Sequence, residues 1–141
     1  VSKRVTTATP HERTRRDHAV ETAEDYVEAV AEIIAAAGQC RVVDLARKFS
    51  VSHVTVTRTV GRLQQEGLVS TEPYRPIELT TAGKQLATTS RHRHETVLAF
   101  LRALGVSPQA AAIDTEGIEH HVGEETLAAM KHFLRQAEVK D

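Results

Sequence analysis

Between Arg41 and Thr80 the chain carries a pattern that few folds accommodate. Arg41–Phe49 sets Val42, Leu45, Ala46 and Phe49 on one helical face, and Ser50-Val51-Ser52 follows as a tight turn. Ser52 is a good N-cap for a second helix, which runs from about His53 to Glu66 and stops at Gly67. Val56, Val60 and Leu63 recur there at i, i+4 and i+7. Helix, short turn and capped second helix is the helix-turn-helix pattern. The second helix turns His53, Thr55, Arg58, Thr59 and Arg62 outward, with Ser52 at its start. These side chains bind phosphate or read base edges, and no large apolar group is expected on that face. Leu68–Glu72 and Ile77–Thr80 alternate around Pro73-Tyr74-Arg75-Pro76, which predicts a β-hairpin. A hairpin directly after such a helix is a wing, and Arg75 at its tip is placed for phosphate or the minor groove. A purely structural helical hairpin would not need this wing, so the residues point to DNA binding.

Charge is distributed to match. The 141-residue chain has a formal net charge of -1, which says nothing of a nucleic-acid partner. Arg41 to Arg75, however, holds six basic residues against three acidic ones, whereas Val106 to Asp141 holds three against seven. A basic middle and an acidic end suggest two jobs. Hydrophobic content of 40% and charged content of 26% fit a globular protein rather than a disordered one. Cys40 is the only cysteine, so neither an internal disulfide nor a Cys-rich zinc site can form, and a reducing cytoplasm is the expected home. No apolar run approaches the ~18 residues of a membrane span. No Gly-rich phosphate loop and no Ser/His/Asp order suggests an enzyme or an organic substrate.

The remaining segments read as helices around this unit. Val1 to His18 is polar and aperiodic, the signature of a flexible arm. Ala19 to Ala37 repeats Ala23, Tyr26, Val27, Val30, Ile33, Ile34 and Ala37 at helical steps, stopped by Gly38. Asp25 and Glu28 fall off that stripe, so periodicity alone leaves them in solvent. A long helix from Thr80 or Thr81 to Leu104 buries Leu86, Ala87, Ser90, His94, Val97, Leu98, Leu101 and Leu104. His94 on this face is either a satisfied core histidine or a ligand. Ser107-Pro108 begins another helix, and Glu124 to Ala137 a last one whose Leu127, Met130, Phe133 and Leu134 form core or dimer interface.

Asp114-Thr115-Glu116-Gly117-Ile118-Glu119-His120-His121 lies between those two. Read as helix, it puts Glu116, Glu119 and His120 at i, i+3 and i+4, neighbours on one face. Two carboxylates and an imidazole at one spot either bind a cation or form a solvated acidic face. As a metal site the stretch is incomplete, because a hard divalent cation takes about six mostly oxygen ligands.

Taken together, these motifs resemble the metal-dependent transcriptional repressors of the diphtheria toxin repressor type, and within them the manganese transport regulator branch. The match lies in Glu24-Asp25-Tyr26-Val27-Glu28, the winged helix, Arg93-His94-Glu95, Leu104-Gly105-Val106 and Asp114 to His121, and spans about Ala23 to Phe133. The resemblance implies a paired Mn(II) site, with Fe(II) also acceptable, held by Asp25, Glu28, His94, Glu116, Glu119 and His120. It also implies a homodimer on double-stranded operator DNA. The iron-responsive branch has cysteine where this chain has Glu116 and methionine where it has Asp25; oxygen and imidazole ligands suit Mn(II) better than sulfur does. Nor do 141 residues leave room for the SH3-like C-terminal domain typical of the iron regulators.

The expected fold is mainly α: a flexible arm over residues 1–18, a winged helix-turn-helix DNA-binding domain over 19–79, and an all-helical metal-binding and dimerisation domain over 80–141. Two other readings compete. A ferritin-like di-metal enzyme would need paired Glu-x-x-His motifs on four long helices, which the chain lacks. A metal-independent winged-helix regulator would keep the DNA-binding half and use the Glu/His cluster structurally.

Overall fold

The computed structural model describes residues 9–139, apart from the side chains of Arg13 and Val139. Its elements run α1 Pro10–Ala37, α2 Val42–Phe49, α3 His53–Gln65, β1 Val69–Ser70, β2 Glu78–Leu79, α4 Thr81–Ala103, α5 Pro108–Ile118 and α6 Glu124–Val139.

The first helix begins well before Ala19, which corrects the expected arm. Thr9 Oγ1 accepts from the Glu12 N–H at 3.2 Å, the Glu12 carboxylate accepts from the Thr9 N–H at 3.0 Å, and Pro10 occupies the first helical position. This reciprocal cap satisfies donors that no packing partner covers. Helix therefore extends over Pro10–His18 although the described side chains there lie in solvent, where no apolar period could announce it. The first eight residues of the expected arm lie outside the described residues. At the other end Gly38 takes φ 87° and donates to the Ile34 carbonyl at 2.8 Å.

The helix-turn-helix forms as its pattern dictates. Ser50 takes a left-handed φ of 54°, and Ser52 Oγ accepts from the Thr55 N–H at 3.1 Å to cap α3. Leu45, Val56 and Leu63 are fully buried beneath α1, and Tyr26 stacks on Phe49 with ring centroids 4.6 Å apart. The wing is shorter than expected: β1 and β2 pair antiparallel only through Val69–Leu79 and Ser70–Glu78. It gains a third edge from the Cys40–Ile77 bridge, where the Ile77 N–H donates to the Cys40 carbonyl at 2.8 Å. Thr80 caps α4 and also donates to the Gly67 carbonyl at 2.6 Å, fixing the long helix to the base of the wing. Gly83 is required there, because a Cβ would lie 2.0 Å from the Leu68 carbonyl oxygen.

Beyond the wing, α4 packs along α1 on one side and against α5 and α6 on the other. Helix α1 is thus shared, with one face in the winged-helix core and another against α4. Two expectations fail here. Leu104 is 57% exposed just past the end of α4 rather than buried on it. Helix α5 stops at Ile118, so Glu119 is its C-cap and His120 sits in the following turn; the motif is not helix throughout.

Candidate metal centre and DNA-binding face

Three segments far apart in sequence supply the charged cluster. Asp25 comes from α1, His94 from α4, Glu116 from α5, and Glu119 and His120 from the turn after α5. One ligand atom each of Asp25, Glu119 and His120 lies within 4.8 Å of the others, and the same holds for His94, Glu116 and Glu119. Glu119, 2% exposed, belongs to both groups. His120 Nε2 stands 3.1 Å from Asp25 Oδ1 and 3.4 Å from Glu119 Oε1, while His94 Nδ1 bonds Glu119 Oε2. Glu28 belongs to neither group but feels the charge of both Glu119 and His94.

Burial and mutual repulsion raise the carboxyls. Burial, then the Glu119 charge, pushes Glu28 up to about 7, against the opposing pull of His94. Burial raises Asp25, with His120 opposing and Glu116 adding. Glu119 is raised first by burial, with His94 lowering it through charge and hydrogen bond. For His120 burial acts downward, but the hydrogen bond to Glu24 and the charges of Asp25, Glu24 and Glu119 prevail and raise it. Carboxyls raised in this way by burial and by one another's charge are groups whose ionised form a divalent cation would stabilise. The donors are oxygen and imidazole nitrogen throughout; Cys40, the only thiol, is buried in the winged-helix core. That set fits a hard or borderline divalent metal.

Periodicity missed the partners around this cluster. Glu24, 5% exposed, has Oε2 2.5 Å from His120 Nδ1 and accepts from Arg93 Nη1 at 3.2 Å. Glu21 pairs with His121 Nε2 at 2.6 Å. Glu24 is buried and Asp25 and Glu28 are half-buried for the same reason: α1 is covered on two sides, which a single-stripe reading does not anticipate.

On the opposite unit, His53, Thr55, Arg58 and Arg62 are exposed as expected, and Thr59 is half-buried. The hydroxyls of Ser52 and Thr55 share a 3.0 Å hydrogen bond, and Thr59 donates to the Thr55 carbonyl at 2.9 Å. Arg62 reaches Glu66 at 3.7 Å and Arg75 reaches Glu72 at 3.5 Å; Arg58 makes no ion pair among the described residues. The expectation of no large apolar group on this face is wrong, because Val54 is 66% exposed beside Arg58. Tyr74 stands 98% exposed at the wing tip with φ 66°. Arg41 Nη1 donates to its carbonyl at 3.5 Å. Among the described residues no helix is long and apolar enough to cross a membrane.

Residues 18–77 match the iron dependent repressor N-terminal DNA binding domain, and residues 80–140 match the iron dependent repressor metal binding and dimerisation domain. The chain is 44% identical over 122 residues to the transcriptional regulator MntR of Escherichia coli O157:H7, covering 86% of this chain and 79% of that one. It is 39% identical over 99 residues to the HTH-type transcriptional regulator MntR of Lysinibacillus sphaericus, covering 70% and 71%. Among solved structures, the manganese regulator SloR superposes with a TM-score of 0.71 at 25% identity, covering 80% of this chain and 53% of that one. A manganese-dependent transcriptional repressor in complex with manganese gives 0.69 at 25%, covering 79% and 52%. The chain spans about half the length of these two solved proteins. It belongs to the MntR branch of the diphtheria toxin repressor family of metal-responsive, DNA-binding transcriptional repressors.

Proposed function

We propose that this chain is a homodimeric repressor of metal-uptake genes that answers to Mn(II), with Fe(II) the other metal its ligands accept. The observation that carries this reading is the position of Glu119, shared by two ligand groups that draw on α1 and on the helical domain together. Asp25, His94, Glu116, Glu119 and His120 would hold two ions per chain, one for each group, with Glu28 completing the set from beside them. A bound cation supplies the positive charge that lets these carboxylates ionise side by side. Asp25 and Glu28 then tie α1, and with it the winged helix, to α4 and the α5–α6 turn.

That tie would act on DNA through geometry. Two recognition helices reach successive major grooves only when set about 34–36 Å apart. With the carboxylates repelling one another, α1 samples other positions; with them neutralised, one spacing is selected. Ser52, His53, Thr55, Arg58, Thr59 and Arg62 would meet the major groove, and Arg75 and Tyr74 the flanking backbone. Val54 is suited to a thymine methyl group. The second copy would cover apolar side chains left exposed on the helical domain, Leu104, Ile113 and Phe133 at 57%, 73% and 42%. Zn(II) and Cu(II) bind such donors more tightly by intrinsic order, so preference for Mn(II) must come from coordination number and geometry.

Operator binding by a Glu116→Ala variant at saturating Mn(II) tests the reading. Loss of metal-responsive binding is expected. Undiminished, metal-responsive binding would contradict it, and binding indifferent to metal in the native chain would favour a regulator of another kind.

A further inference from the structure

Two carboxylates are buried among the described residues, Glu119 and Glu24, at 2% and 5% exposure. Glu119 belongs to both ligand groups, and Glu24 belongs to neither. A buried carboxylate without a role in the cluster beside it is costly unless its oxygens are fully used. Here they are. Glu24 Oε2 lies 2.5 Å from His120 Nδ1, and Glu24 Oε1 accepts from Arg93 Nη1 at 3.2 Å. Arg93, itself largely covered, brings the opposite charge from α4, one residue before His94.

The imidazole of His120 is spanned from both sides. Its Nδ1 meets Glu24, and its Nε2 faces Asp25 Oδ1 at 3.1 Å and Glu119 Oε1 at 3.4 Å. A neutral imidazole has one N–H and one lone pair, and the stronger acceptor decides which nitrogen keeps the proton. An acceptor-only carboxylate at Nδ1 keeps the proton there and leaves the lone pair on Nε2, the nitrogen turned toward the other ligands. The ring is also held against rotation, because His120 is 8% exposed and both nitrogens are engaged.

We propose that Glu24, backed by Arg93, is a positioning residue of the metal centre that holds His120 as the Nδ1–H tautomer and presents Nε2 to the cation. This rests on the metal-centre reading above. The Glu24–His120 contact also joins α1 to the α5–α6 turn, between residues 96 positions apart, through a hydrogen bond that needs no metal to form.

The test uses the full chain with Glu24→Ala, Glu24→Gln and Arg93→Ala. Mn(II) affinity and stoichiometry are read by calorimetry and by the electron paramagnetic resonance signal of free Mn(II). Glu24→Ala should weaken Mn(II) binding about 10- to 100-fold with the number of ions per chain unchanged. Glu24→Gln, whose carbonyl still accepts from Nδ1, should lose less, and Arg93→Ala should fall between the two. Long-range proton–nitrogen NMR of the metal-free wild type at alkaline pH, where imidazoles are neutral, should give His120 as Nδ1–H. Nε2–H in that spectrum overturns the proposal even if Glu24→Ala does not fold. So does wild-type affinity in Glu24→Ala, an equal loss in Glu24→Gln, or a lost ion, which would make Glu24 a ligand. Wild-type protein that takes up no Mn(II) overturns the metal-centre reading and this proposal together; normal wild-type uptake with an unaffected Glu24→Ala overturns the proposal alone.

Discussion

The winged helix and the metal centre bury opposite kinds of side chain, although both rest on α1. Toward the helix-turn-helix, α1 presents Tyr26 and Val30 to Leu45, Val56 and Leu63. Toward α4 and the α5–α6 turn it presents Glu24 and Asp25 to Arg93 and His120. The first contact is complete as folded: apolar area is removed from water and Ser52 caps the second helix. The second carries carboxyls raised from their ordinary values by burial and by one another's charge. A rigid reader and a responsive joint follow from that contrast, since only the second contact changes its energy when a cation arrives.

Removing Glu119, the carboxylate proposed as the shared ligand, should break the contrast most. Glu119→Gln is expected to weaken Mn(II) binding about 100-fold or more, since a ligand matters at least as much as its outer partner. The winged helix should stay folded, as circular dichroism of the metal-free variant would verify. On the other side, Gly83→Ala should destabilise the chain by about 1–3 kcal/mol in urea unfolding, because the added methyl meets the Leu68 carbonyl. Arg58→Ala should cost about 1–3 kcal/mol of operator affinity and leave Mn(II) affinity in the absence of DNA unchanged. If that variant loses metal binding instead, the two regions are not separable.

Acidity gives a subtler probe. In the metal-free fold Glu28 titrates at about 7 against an ordinary 4.5, so between those values the folded chain binds a proton that the unfolded chain has released. Stability of the metal-free protein should therefore fall as pH rises through that window, seen as a lower melting temperature at pH 8 than at pH 5. Mn(II) affinity should move the other way, rising with pH until Glu28 is ionised. A melting temperature independent of pH would mean that Glu28 is not held in the cluster.

The same contrast explains what is legible in the sequence. Val56, Val60 and Leu63 declare α3 because core contacts repeat with the helical period, and Ser52 and Gly67 mark its ends. The centre has no such period. Its Asp25 and His120 are 95 positions apart, so only resemblance to known repressors links them in the sequence. Glu24 lies within the resembling motif, yet nothing local marks a carboxylate that is buried by a distant turn. Pro10–His18 gives no apolar sign of helix for the converse reason: a capping box can start a helix that packs against nothing.

Titration of chelator-stripped protein with Mn(II), with and without a metal-transporter operator fragment, tests the central claim most directly. The account predicts about two ions per chain, DNA binding that appears only as those sites fill, and tighter Mn(II) uptake when DNA is present, because the coupling is reciprocal. Full operator affinity in the stripped protein would contradict it, and the buried Glu/His cluster would then be a structural joint rather than a sensor.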